Sequence, residues 1–166
     1  MAKKKNASNQ PQPQKPSKTV DIYTDGSFFP EHQLGGWAAI LVFQSVVSKR
    51  IRGYARSGTH NRFEILPAVI AMERLTEPCI VNLYSDSQHL INLILSGKIL
   101  MWKNQSWQGI SKGDAENRDL FERLAKQLEK HTVHAVWIKG HSGHPFNTEC
   151  DQLAKKTAKA VINAPF

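Results

Sequence analysis

Thr19-Val20-Asp21-Ile22-Tyr23-Thr24-Asp25-Gly26-Ser27 reads as a β-strand with a carboxylate at its end. Aromatic and β-branched residues dominate it. A period of two puts Asp21, Tyr23 and Asp25 on one face and Val20, Ile22 and Thr24 on the other. Gly26-Ser27 is expected to end the strand and to let backbone come close to a ligand. Two more apolar, β-branched runs follow at 35–43 and 46–55, with turn residues between them. Three such runs in close succession predict an antiparallel meander.

Outward from this meander the pattern alternates. Residues 61–75 carry two apolar rows, Ile65-Val69-Met72 and Leu66-Ile70, and predict a helix buried on much of its surface. Pro67 sits beyond the first turn of that helix, where it costs a hydrogen bond or a kink. A strand is expected at 79–85 and a helix at 87–95, capped by Asp86 or Ser87. A short helix with a loop follows over 97–113, then a helix at 115–129 and a strand at 132–138. The last helix starts near Pro145, a favoured first-turn position, and runs to about 162. The expected fold is α/β: a mixed five-stranded sheet, three antiparallel strands first, with helices on both faces.

The chain has 166 residues, 40% of them hydrophobic, which suits one domain with a real core. The domain is expected over 20–162, with a short end at 163–166. Residues 1–19 are Lys, Asn, Gln, Pro and Ser with almost no apolar content, and they read as a disordered basic tail. Lys3, Lys4, Lys5, Lys15 and Lys18 lie there without any acid. The net charge of +8 favours a polyanionic partner. Cys79 and Cys150 are too few and too far apart for a disulfide framework or a zinc site, and read as small buried residues. The N-terminus has no apolar stretch of a secretory signal, and no run is long enough to span a membrane. A cytoplasmic monomer without a membrane partner is expected.

Four carboxylates stand in separate contexts: Asp25 and Asp86 at strand ends, Glu64 and Asp151 at or near helix starts. Taken singly each has an ordinary role, as turn residue, cap, first-turn acid or surface residue. Strand ends and helix starts can meet on one edge of an α/β sheet, however. Acids gathered there repel unless a cation lies between them, and hard oxygen ligands suit Mg²⁺ or Mn²⁺.

Together with the stretches around them, these acids resemble type 1 ribonuclease H of the bacterial kind. The resemblance rests on YTDGS (23–27), GGWAAIL (35–41), THNRFE (59–64), YSDSQ (84–88) and KGHSGHP with the following Asn147 and Cys150-Asp151 (139–151), and spans about residues 20–160. It implies the ribonuclease H-like fold and an endonuclease that hydrolyses the RNA strand of RNA–DNA hybrids, leaving 5′-phosphate and 3′-hydroxyl ends. Asp25, Glu64, Asp86 and Asp151 would hold two Mg²⁺ ions, with Mn²⁺ as a possible substitute. His141, in a loop with flanking glycines, would shuttle a proton or help release product, while His144 leads into the last helix.

For substrate contacts the resemblance implies Thr59 at a DNA phosphate, Asn61 and Gln88 in the minor groove, and Asn117. The stretch 98–112 matches the basic protrusion of bacterial members, with Trp102, Lys103 and Trp107 as contact residues. Trp102 equally suits the core. One departure stands out: residues 28–34 replace a Gly/Asn/Pro-rich loop, and Glu31 there would weaken hybrid binding. A DNA nuclease or strand-transfer domain of the same superfold, and a catalytically weak hybrid-binding module, are the competing readings. The histidine loop and Asn61–Glu64 argue against the first, and retention of all four acids against the second.

Overall fold

The computed structural model describes residue 12 and residues 15–165. Strands β1 (Lys18–Phe29), β2 (Leu34–Phe43) and β3 (Val46–Arg56) form the meander, followed by α1 (His60–Glu73) and β4 (Cys79–Ser85). Helices α2 (Gln88–Leu95), α3 (Lys98–Asn104), α4 (Lys112–Ala115) and α5 (Arg118–Lys130) precede β5 (Thr132–Trp137), and α6 (Pro145–Ile162) closes the chain. The sheet order is β3-β2-β1-β4-β5. β1–β2 and β2–β3 are antiparallel, whereas β1–β4 and β4–β5 are parallel. This is the expected mixed sheet, with α4 as one extra helical turn.

Helices lie on both faces, and a pair of glycines shows how tightly. A Cβ on Gly35 would come within 2.5 Å of the Phe63 ring in α1, and one on Gly36 within 2.1 Å of the Ala154 carbonyl in α6. The core on the α1 side joins Ile22, Leu41, Met72, Leu83, Leu90 and Phe121, while a smaller cluster under α6 joins Tyr23, Ile40, Val42, Cys150 and Ala154. β1 and β2 are therefore buried on both faces, and apolar residues need not alternate along them. α1 lies between the sheet and α5, which explains its two apolar rows. Bidentate pairs Arg62–Asp119 and Arg123–Glu73 tie α1 to α5 at the surface.

Three expectations change. Gly26-Ser27 does not end β1: pairing with β2 continues to Phe29–Leu34. A Cβ on Gly26 would lie 2.2 Å from the Phe63 carbonyl oxygen, so the glycine serves the close approach of α1. Residues 28–34 accordingly form strand and a 3-10 turn (Pro30–His32) in place of a loop, with Phe28 stacked on Phe63 at 5.5 Å. Lys18, assigned to the tail, opens β1, where it pairs with Glu77 because β4 runs alongside. Most of the expected tail, and Phe166, lie outside the described residues.

Pro67 also finds its place. α1 runs through it without a break. Lacking an N–H, Pro67 leaves the carbonyl of Phe63, four residues back, without its helical donor. That carbonyl is the one against which Gly26 packs.

Candidate active site

The C-terminal half of β1, the first turn of α1 and the end of β4 meet at one edge of the sheet. One carboxylate oxygen each from Asp25, Glu64 and Asp86 lies within 4.8 Å of the other two. Local chemistry leaves these groups free. Ser87 caps α2, its Oγ accepting the Leu90 N–H at 3.2 Å, so Asp86 is not used as the cap. Asp25 accepts only the adjacent Gly26 N–H, at 2.8 Å, and Glu64 Oε2 is buried with no hydrogen-bond partner.

Burial and crowding make the charged forms costly. Burial, then the neighbouring Asp86, raises Asp25 to about 7. Burial, then Asp25, Asp86 and Asp151, raises Glu64 to about 9. Burial likewise raises Asp86. A buried orphan oxygen among converging carboxylates is a site short of positive charge. The donor set is all oxygen, which fits Mg²⁺ or Mn²⁺.

Asp151 reaches the same cleft from α6 but stays outside the trio, its Oδ2 accepting from Lys155 at 2.9 Å. The cleft is about 600 Å³ in volume, and His141 lines it too. The end of β5 clamps Asp86 in place. Ile138 donates to the Ser85 carbonyl at 3.0 Å and Trp137 Nε1 donates to the Asp86 carbonyl at 3.1 Å. A Cβ on Gly140 would sit 2.8 Å from Asp86 Oδ2, so this glycine lets the histidine loop lie on the acid. His141 itself has a positive φ of 55°, a strained backbone for a non-glycine residue.

Comparison with known proteins decides which of the superfold's families this is: the RNase H model matches residues 17–159. The chain belongs to the RNase H family. A Ribonuclease H of Chlorobium chlorochromatii (strain CaD3) is 42% identical over 142 residues, 86% of this chain and 97% of that protein. One from Oleidesulfovibrio alaskensis (strain ATCC BAA-1058 / DSM 17464 / G20) is 41% identical over 138 residues, 83% and 89% of the two chains. Among solved structures, LC9-RNase H1, a type 1 RNase H with the type 2 active-site motif, superposes with a TM-score of 0.71 at 21% identity, over 87% of this chain and 74% of that one. LC11-RNase H1, solved with an RNA/DNA hybrid, gives 0.64 at 15% identity, over 87% and 99%. The structures establish the fold, and the family makes the chain a ribonuclease.

Of the contacts that the resemblance to ribonuclease H implied, Asn61 and Gln88 line the acid cleft and are exposed. Thr59 is exposed at the N-cap of α1, just outside that lining. Trp102 is a correction: it is 4% exposed and packs on Phe121 in the core, because α3 turns its apolar side onto α5, so it offers no face to a base. Lys103 pairs with Glu129 on α5. Trp107 is half-buried against the core, with the Arg118 guanidinium 5.9 Å from its ring centroid. Asn117 is buried at the start of α5, its Oδ1 without a partner. Glu31 is exposed in the 3-10 turn and does not line the cleft. Sequence reasoning missed His60, His89, Trp137 and Lys155 as cleft residues. Helical spacing offered a signal for two of them: His60 is four residues before Glu64, Nε2 to Oε1 3.6 Å, and Lys155 four after Asp151.

Proposed function

We propose that the chain is a divalent-cation-dependent endonuclease that hydrolyses the RNA strand of RNA–DNA hybrids and leaves 5′-phosphate and 3′-hydroxyl ends. The observation that carries the reading is the trio Asp25, Glu64 and Asp86, with oxygens within 4.8 Å and one of them orphaned, in a member of the RNase H family. These three and Asp151 would hold two Mg²⁺, or Mn²⁺ in their place. Bound there, the ions supply Lewis-acid stabilisation of the scissile phosphate and an activated water.

The chain's own groups do the rest. The clamp of Trp137 and Ile138 holds Asp86 in place, and Gly26 sets Glu64 against β1. His141 moves a proton at the leaving 3′ oxygen as the P–O3′ bond breaks. Asn61 and Gln88, with short amide donors and acceptors, suit the 2′-hydroxyls of a wide, shallow minor groove, and Thr59 suits a DNA phosphate. The reading takes the chain to be a cytosolic monomer.

Its test is an assay with end-labelled RNA–DNA hybrid, double-stranded RNA and double-stranded DNA, each with Mg²⁺, Mn²⁺ or chelator. Cleavage confined to hybrid RNA, absent with chelator, and yielding ends that a ligase joins after annealing is the expected result. Preferred cleavage of double-stranded DNA, or full activity in chelator, rejects the reading.

A further inference from the structure

The segment between α3 and α5, residues 105–117, follows the helix that carries Lys103 and ends on Asn117. Little anchors it. α4 within it buries no residue, and across 111–116 only Asp114 is partly buried. Among the described residues, one side-chain hydrogen bond leaves 105–116 for another element: Asp114 Oδ1 to His89 Nε2 of α2, at 2.8 Å.

Both ends of this link are well placed. Asp114 Oδ2 accepts from Ser111 Oγ at 2.7 Å, and Ser111 Oγ accepts the Asp114 N–H at 3.2 Å, so the carboxylate is locked into the cap of α4. The Asp114 carbonyl accepts the Asn117 N–H at 2.9 Å, joining the link to the start of α5. On the other side His89 lies three residues after Asp86, in the first turn of α2, and lines the acid cleft. The carboxylate is 15% exposed and the imidazole 35%, so water competes weakly for the bond.

We propose that His89 and Asp114 are positioning residues for hybrid binding, a latch that holds segment 105–117 in fixed relation to the acid cleft. The inference rests on the reading of the hybrid as substrate. A duplex that occupies the cleft and also meets Arg118 on its Trp107 shelf touches two parts of the protein that α2 and the latch connect. If the latch is made beforehand, the substrate need not order the segment on binding. Asp114 lies outside the acid cleft, so its loss weakens substrate binding and leaves the chemical step alone.

The test is steady-state cleavage of a hybrid of about two helical turns by Asp114→Ala, His89→Ala, the double variant and His89→Gln. Each alanine variant should raise KM by about three- to ten-fold, the range for a partly buried, charge-assisted bond. The double variant should raise it no further, since both substitutions remove one interaction. His89→Gln, which keeps a donor for Asp114, should recover part of the loss. A KM unchanged in either alanine variant, single effects that multiply in the double variant, or a fall in kcat at constant KM overturns the latch. A thermal melt lowered without any change in KM also overturns it, since the pair is then structural only. If the unsubstituted protein fails to cut hybrid at all, the proposed function falls, and that result is distinct from all of these.

Discussion

Asp25, Glu64 and Asp86 have ordinary local surroundings, and their chemistry comes from being brought within 4.8 Å of one another. Asp25→Asn or Asp86→Asn should reduce hybrid cleavage beyond the roughly 10–100-fold that loss of an outer-shell partner costs a metal site. Because the remaining acids then repel less, melting without divalent ions should be unchanged or higher. Full activity would reject the site, and a large loss of stability would make the acid structural. The pH dependence follows from the same crowding. Unfolded carboxyls titrate near ~4, whereas Asp25 is raised to about 7 and Glu64 to about 9. Between these limits the metal-free folded protein holds protons that the unfolded chain has released, so stability is fully present below about pH 4 and declines as pH rises. Melting in chelator should therefore fall from about pH 5 to about pH 9, less steeply in Asp25→Asn, and Mg²⁺ should raise it most at the alkaline end. His141→Ala should slow turnover on the order of 10²–10⁴-fold while hybrid affinity holds, and equal single-turnover rates would remove His141 from the mechanism.

At the scale of elements, the contact between β1 and α1 sets the site. Gly26 and the Phe63 carbonyl touch there, and Pro67 is the reason that carbonyl has no helical donor. Gly26→Ala must push α1 off the strand and take Glu64 with it. We expect a loss of ~3 kcal/mol or more by urea unfolding, with cleavage abolished. Pro67→Ala restores a helix bond worth up to ~3 kcal/mol but gives up two buried methylenes at ~0.8 kcal/mol each. A net gain of about 1 kcal/mol is expected, with cleavage retained. A destabilised Pro67→Ala would mean that the proline packs better than it breaks. The proline conflict is visible in the sequence, but its resolution needs the strand that lies against the helix.

Across the whole molecule, a +8 chain encloses an acidic cleft. Basic groups outside the cleft can hold a polyanion while the acids await cations. We expect the N-terminal lysines to share in holding it. Deleting residues 1–16 removes Lys3, Lys4, Lys5 and Lys15. Hybrid binding should weaken, and the slope of log K against log salt should flatten by up to roughly 3, at about 0.7–0.9 per phosphate contact. Turnover at saturation should persist, since the four acids and His141 all lie outside the deleted segment. Identical salt slopes with and without these residues would leave them no part in binding.

Much was legible from local pattern. Apolar, β-branched runs set the strands, two apolar rows set α1, and Pro145 marked the start of α6, because these features depend on neighbours in the chain. The four acids and His141 were legible as motifs, each tied to a strand end, a helix start or a glycine-flanked loop. Tertiary structure alone decided the rest. It extended β1 past Gly26, since pairing with β2 outweighs a local turn signal. It moved Trp102 into the core, because only the position of α5 says which face of α3 is covered. It raised Asp25 and Glu64 far above ordinary carboxylates, since burial and like-charge proximity are properties of the assembled edge. It joined His89 to Asp114 across 25 positions, a contact that no periodicity encodes.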